Sequence, residues 1–440
     1  MSYLNHVVTT KGFIHSFERS AQILKRFCLG RKKFLQMISS LQQDLEGDAK
    51  ITFCITASLL SENAPLFRKL RHLGHDVAAH GYVHTNMKNK SKKEQIEIIR
   101  KCSHAFARFQ MPVTGFRCPY LSYNNDTLDV LNTGGFAWTS NNMILWPNGL
   151  GGGNGREIKT LRKINSLYHL DCADSRQALP RFRNGCLDIP ITGPDDEMLL
   201  ERFRVKKREK IVEIWMDVLR RTHERGELFH LLFHPERFRH IRGCIKAIVG
   251  GLRRFDEPVW VASLMEITEW WRQRRDVSFE HEHAGDRCVK TWVNAPARAT
   301  MLVKLQTGEA FSGDKPFFGS YALARPLEMR NGRRAFPCIN GRKGTIGLAG
   351  RSPIEAETFL KEEGFLVERS NNPDEHAVFI DGGRQFSRKD EAAMLAQIED
   401  SPFHVLRLWR WPDGMRSSFT ISADVDSVTL MDFIRRALQF

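Results

Sequence analysis

The stretch Asp76-Val-Ala-Ala-His80-Gly-Tyr-Val-His84 closes an apolar run with two histidines four residues apart. If the chain turns helically after the strand, both imidazoles fall on one side and can bind one metal ion. Alone the pair is a weak signal: among sixteen histidines such a spacing arises by chance, and surface or packing histidines are the commoner case. Other candidate groups also stand at the ends of strand-like runs. Gly115-Phe-Arg117-Cys-Pro119-Tyr120 follows a helix-to-strand transition, and Glu227-Leu-Phe-His-Leu-Leu-Phe-His234-Pro235 is an apolar strand ending on a histidine. His230 lies inside that run and reads as packed, so His234 is the better placed of the two. Ser418-Phe-Thr-Ile-Ser-Ala-Asp424-Val-Asp426 is a strand ending in Asp-x-Asp, which by itself reads as an acidic turn. Asp195 and Asp196 follow Pro194 where a helix opens, a place where acids commonly cap.

The elements that must position these groups alternate. A basic helical region, 13–45, carries Ile23, Phe27, Phe34, Met37, Ile38 and Leu41 at helical spacing. Ile51 to Thr56 reads as a buried strand and Ala64 to Leu73 as a helix stopped by Gly74. Ser91-Lys-Lys-Glu94 is a capping box opening a helix to about Phe109, with Ile96, Ile99, Cys102 and Phe106 on one face. Cys186 to Thr192 is a further strand-like run, and the densely basic Arg202 to Lys210 leads into an amphipathic helix. Strand and helix in alternation argue for an α/β fold whose functional groups collect at the carboxyl ends of parallel strands. Gly149 to Gly155 lacks the Gly-Lys-Ser/Thr ending of a phosphate loop and reads as a surface loop.

Composition sets limits. At 440 residues, 42% hydrophobic and 27% charged, the chain can bury a full core and has room for more than one domain. A net charge of +15 points to an anionic neighbour: a nucleic acid, a phospholipid surface, or an acidic or pyrophosphate-bearing glycan. Dispersed basic residues and the absence of a recognition module argue against nucleic acid. Nine scattered cysteines with no Cys-x-x-Cys pair read as reduced thiols, and the sequence has neither an apolar signal core nor a run of membrane-span length; the expectation is a cytoplasmic protein.

Taken together, His80-Gly-Tyr-Val-His84-Thr85, Gly115-Phe-Arg117-Cys-Pro119-Tyr120 and Leu232-Phe-His234-Pro235 resemble the successive motifs of the polysaccharide deacetylases, the family that includes the nodulation chitooligosaccharide deacetylases. The resemblance spans roughly residues 10 to 275 and closes on Val259 to Trp271. It implies a distorted (β/α) barrel and a metal-dependent hydrolase that removes N-acetyl groups from amino-sugar glycans, acting on carbon-nitrogen bonds of linear amides. The family's opening strand, with its aspartate pair, has no counterpart before Ile51. Asp424 and Asp426 look like that pair moved to the C-terminus, a circular permutation that neighbouring chain ends make inexpensive. On this reading His80, His84 and Asp426 hold a divalent ion, most simply zinc, and Asp424 is the base. Arg117 orients Asp424, the Tyr120 backbone supports the oxyanion, and His234 protonates the leaving amine. Asp196 tunes His234 and Leu232 lines the acetyl-methyl pocket. Glu197 stands where the family often has tryptophan, and Cys118 where it often has proline.

The resemblance divides the chain into a barrel (1–275), a small α+β insert (276–411) and a strand and helix completing the barrel (412–440). Within the insert, His281-Glu-His283 reads as an exposed linker, helices are expected over 354–364 and 388–399, and strands over 365–369, 377–381 and 403–409. Trp409 and Trp411 either stack on sugar or anchor the chain's return. Two other readings stand beside the deacetylase: an amide hydrolase for a small cyclic ureide or imide, and a non-catalytic glycan- or lipid-surface-binding scaffold. The expected partner is an acetylated amino-sugar glycan, with peripheral contact to an anionic membrane surface possible; oligomeric state is not legible.

Overall fold

The computed structural model describes residues 30–45, 49–146, 170–283, 289–304, 316–338, 342–383 and 385–438. The glycine-rich stretch 149–155 and the helix positions Ile23 and Phe27 lie outside these residues. The chain forms two compact units, one from 1–268 with 417–440 and one from 269–416. The division falls within the helix Leu264–Arg275.

The first unit is a curled α/β half-barrel. Its nine-stranded sheet runs Leu228–Phe233, Ser417–Val425, Ile51–Ile55, Asp76–Ala79, Gly115–Phe116, Trp138–Thr139, Cys186–Asp188, Arg181–Arg183, with Val259–Val261 also pairing with Ser417–Val425. Every pairing is parallel except the Arg181–Arg183 hairpin. A second parallel sheet joins Leu170–Cys172, Met143–Leu145 and Ile191–Gly193. It meets Leu228–Phe233 through Thr192 Oγ1, which donates to the Leu228 carbonyl and accepts from the His230 N–H, both at 3.0 Å.

The Ser417–Val425 strand is central. It lies between the strands Leu228–Phe233 and Ile51–Ile55, in register Leu232↔Ser422 and Cys54↔Asp424. All nine of its residues are buried. Strand alternation sends Phe419, Ile421, Ala423 and Val425 to one face and Ser422 and Asp424 to the other. Truncating a fully packed side chain there, such as Ile421→Ala, costs about 2–5 kcal/mol.

Local chemistry sets most boundaries. Ser91 and Glu94 form the reciprocal capping box of the helix Lys92–Arg108. That helix buries Gln95, Ile99, Cys102 and Phe106, whereas Ile96 is 49% exposed. The apolar stripe therefore passes through Gln95, whose Nε2 donates to the Lys90 carbonyl at 2.9 Å and so tolerates burial. The run from Cys186 to Thr192 is two strands in different sheets, because Pro190 cannot donate to a ladder. The acids after Pro194 open only the single π-helical turn Met198–Arg202. No helix among the described residues is long and apolar enough to cross a membrane.

The second unit is α+β. A four-stranded antiparallel sheet (Ser278–His283, Val289–Asn294, Arg333–Cys338, Glu328–Arg330) is accompanied by a three-stranded antiparallel sheet, Tyr321–Leu323, Met301–Lys304 and Leu406–Leu408. A parallel sheet, Val367–Ser370, Lys343–Ala349 and His376–Ile380, carries the helices Ile354–Glu362 and Arg388–Asp400. His281 belongs to a strand rather than a linker, and its Nε2 meets Glu368 Oε1 at 2.5 Å. Trp409 and Trp411 are fully buried, which removes the sugar-stacking alternative and leaves them as anchors.

Candidate active site

The parallel ladder continues one residue past each strand and delivers the site. His80 N–H donates to Ile55 O at 2.9 Å, Arg117 N–H to Ala79 O at 2.9 Å, and Ser140 N–H to Phe116 O at 3.3 Å. His80, Arg117 and Ser140 therefore stand side by side at the carboxyl ends of adjacent strands, the position from which α/β sheets present functional groups.

The segment after His80 does not turn helically. Gly81 takes φ +75° and packs so closely that a Cβ there would lie 3.1 Å from Pro119 Cγ. The chain then bends through Tyr82 to His84, and these bends bring the second imidazole back to the first, with ring centroids 5.1 Å apart. Asp426 Oδ1 lies 3.3 Å from His80 Nε2 and 3.4 Å from His84 Nε2. These three buried donors lie within 4.8 Å of one another. Donors about 2.1 Å from a divalent ion in tetrahedral array stand roughly 3.4 Å apart, so the spacing fits one ion.

Protonation agrees with that fit. His80 Nδ1 is 2.9 Å from the Arg117 carbonyl, which can only accept, so this nitrogen carries the proton and Nε2 is left as a ligand. Burial, with Arg436 nearby, holds the His84 imidazole well below its usual range, and it is neutral. Burial opposes ionisation of Asp426, but the Arg436 guanidinium holds it well below the ordinary carboxylate value. Asp426 Oδ1 and His84 Nδ1 are buried and make no hydrogen bond among the described residues. A buried carboxylate oxygen left open among bare imidazole nitrogens is what a metal-binding set requires.

Asp424 sits beside this set. Its Oδ1 accepts from Arg117 Nη1 at 2.8 Å, and its Oδ2 faces His80 Nε2 at 3.9 Å. Arg117 is fully buried and pinned: Nη1 also donates to Ser422 Oγ at 2.8 Å, Nη2 to Ser140 Oγ at 2.8 Å and Nε to the Ser140 carbonyl at 3.1 Å. The neighbouring Cys54 thiol is pushed up to about 12 by burial and adds no charge at neutral pH. His230 is a packing residue. Its Nδ1 donates to the Pro190 carbonyl at 3.0 Å and its Nε2 accepts from Ser422 Oγ at 2.7 Å.

His234 lies on the face of its strand that also carries His230 and Leu232. Asp196 clamps it twice, accepting from the His234 backbone N–H at 2.9 Å and from Nδ1 at 2.7 Å. Burial opposes a charge on His234, yet the Asp196 carboxylate pushes its pKa up to about 10. Asp195 has a different job: its Oδ1 accepts from the Met198 N–H at 2.8 Å, which is a cap. Leu232 is buried, 1% exposed, in register with Ser422. Tyr120 and Leu121 hold left-handed backbone (φ 60° and 52°), and the Tyr120 ring stands edge-on to His84 at 4.2 Å. Such strain in two successive non-glycine residues costs of order 1–3 kcal/mol each and concentrates at functional sites.

Two contributors are not among the sequence candidates. Arg436, on the C-terminal helix Leu430–Leu438, places Nη1 2.7 Å from Asp426 Oδ2. Nothing in the local sequence couples residues ten apart across a turn. Ser422 is two residues before Asp424, and strand alternation alone could have placed it on the same face.

Residues 43–138, which include His80, His84, Arg117 and Tyr120, match the sequence model of the polysaccharide deacetylases. This part of the chain is similar to the polysaccharide deacetylases. Among curated proteins, none matches the chain. Among solved structures, the chain is similar to a Mycobacterium smegmatis protein assigned to the polysaccharide deacetylases, at 18% identity and TM-score 0.42, covering 54% of this chain and 77% of that one. A Pseudomonas aeruginosa protein with the same assignment is 14% identical at TM-score 0.42, covering 54% and 73%. A family 4 carbohydrate esterase from Streptomyces lividans, solved with acetate, is 14% identical at TM-score 0.32, covering 50% and 81%. The deacetylase match ends before Asp196, His234, Asp424 and Asp426, whose place in the site rests on the geometry above.

Proposed function

We propose that this protein is a metal-dependent hydrolase that removes N-acetyl groups from an amino-sugar glycan, similar to a chitooligosaccharide deacetylase, with the aspartate strand of the barrel permuted to the C-terminus. One observation carries the reading. Asp424 and Asp426, more than 300 residues downstream of the histidines, converge with His80 and His84 in one buried cluster.

His80 Nε2, His84 Nε2 and Asp426 would hold the ion, most simply zinc; when bound it supplies Lewis acidity and a water of lowered pKa. Asp424 takes the proton of the attacking water at Oδ2, because Oδ1 is committed to Arg117. Arg117 fixes that carboxylate and keeps its open oxygen toward the ligand set. The Tyr120 backbone N–H, presented by a left-handed turn, is suited to an acetyl oxygen that gains negative charge. His234 is protonated at neutral pH and delivers its proton to the departing amine, while Asp196 holds its Nδ1 side and leaves Nε2 for the substrate. Leu232, on the same strand face as His234, is the candidate for the acetyl-methyl contact. The thiols Cys54, Cys102, Cys118, Cys172 and Cys244, none of them in a disulfide among the described residues, favour a reducing, cytoplasmic setting and therefore soluble or membrane-face glycan precursors as substrates.

The test is acetate release from N-acetylglucosamine oligomers by metal-loaded protein, beside EDTA-treated protein and Asp424→Asn. Release that both controls abolish supports the reading. Stoichiometric metal without release from any acetylated sugar would turn the assignment toward another amide substrate.

A further inference from the structure

We infer that the glycan is anionic and that a basic cleft beside the reaction centre binds its charged groups, an inference that rests on the deacetylase reading. The cleft, about 410 Å³, lies between the helix Gly30–Asp44 and the two turns that leave the site. Pro235 lines it directly after His234, and Ser427 and Val428 line it after Asp426. It therefore opens from the same strand ends that carry the chemistry.

The cleft has an apolar floor and a positive rim. Phe34, Met37, Phe238 and Val428 are buried along it, the kind of surface on which a sugar ring lays its C–H face. Lys33, Arg239 and Arg242 are exposed at its edge and form no ion pair among the described residues. Glu236 is the single acid of the lining, and Arg237 Nη1 already meets it at 3.1 Å. Asp44, the acid that acts on Arg242 from the helix end, makes no ion pair with it among the described residues, and burial raises its pKa. Among the described residues, three uncompensated cations remain around a cavity of sugar size. Ser427 adds a buried hydroxyl with no hydrogen-bond partner among the described residues. An uncharged oligosaccharide would leave this surplus unanswered, whereas a carboxylate or phosphate one residue from the acetylated sugar would meet it within a screening length.

The guanidinium groups lie off the reacting atoms, so they act on binding and not on the chemical step. The experiment compares kcat and KM for acetate release from neutral N-acetylglucosamine oligomers, oligosaccharides alternating glucuronate with N-acetylglucosamine, and UDP-N-acetylglucosamine. Wild type and Arg239→Gln/Arg242→Gln are assayed at low and high salt, and calorimetry measures binding of the same probes to both. The inference predicts a lower KM for at least one anionic probe, lost in the double variant by about fivefold to thirtyfold at unchanged kcat and lost in high salt. Preference for the uronate arm identifies a carboxylate; preference for the nucleotide arm identifies a phosphate. Equal KM for neutral and anionic probes in wild type, or a preference that survives in the double variant, overturns the inference and leaves the deacetylase reading intact. Anionic binding that the double variant loses, without acetate release from any probe, supports the cleft and overturns the deacetylase reading instead.

Discussion

In the second unit Glu363 is buried with Arg407 Nη2 at 2.8 Å and Arg410 Nη2 at 3.3 Å. Arg274, also buried, donates through Nε, Nη1 and Nη2 to the carbonyls of Trp409, Glu362 and Leu408. Arg407 donates to the Glu363 carbonyl and lies 4.8 Å from the Phe365 ring centre. In the first unit Arg117 is just as buried and as fully bonded, but the carboxylates around it are not: Asp424 Oδ2 and Asp426 Oδ1 face imidazole nitrogens. Both units bury arginine beside acid. Burial does not separate these two clusters, whereas the carboxylate oxygens that face imidazole nitrogens in the first do.

Asp424→Asn breaks the comparison most severely. It should lower acetate release by roughly 10²–10⁴-fold, the usual worth of a general base, with bound metal unchanged. The variant should also lose stability, because Arg117 is left buried with only the neutral acceptors of Ser140 and Ser422, so rates are compared at a temperature where it is folded. Glu363→Gln is the counterpart in the second unit. It leaves buried guanidinium without its carboxylate and should cost about 3–5 kcal/mol in denaturant unfolding, while kcat at a permissive temperature stays at the wild-type value. Next, Arg436→Met removes the group that holds Asp426 Oδ2, and metal affinity should fall by about 10–100-fold in a chelator competition. Asp196→Asn acts through the pH profile. His234 acts as the protonated form, so activity is present below its pKa and lost as pH rises through about 10. Without Asp196, burial and Arg237 are opposed chiefly by Asp195, and the pKa drops. The alkaline limb of kcat/KM should then move to lower pH, and an unmoved limb would remove His234 as the acid.

How far the sequence could be read follows the same division between local and distant causes. The capping box at Ser91, the apolar strand ending on His234 and the Asp-x-Asp strand end are written in adjacent residues, and the structure builds each where the pattern puts it. The convergence of Asp426 with His80 and His84 could be argued only through family resemblance, since nothing local links the two ends of the chain. The helical turn expected after His80 is replaced by bends set by Gly81 against Pro119, a contact between motifs. The Ile96 stripe and the unbroken 186–192 strand fail for short-range reasons, a buried glutamine bonded through its Nε2 and a proline. In the second unit Ser278–His283, Glu328–Arg330 and Arg333–Cys338 are rich in charge, so no apolar alternation announces them. Arg436 is invisible for a tertiary reason: it matters only once its helix folds back over Asp426.

The most direct test of a centre completed from both ends of the chain is the metal content of purified protein after dialysis, measured for wild type and for Asp426→Ala with circular dichroism to verify the fold. One equivalent of divalent metal in wild type and none in folded Asp426→Ala is the result expected. One equivalent retained by folded Asp426→Ala would contradict the shared centre.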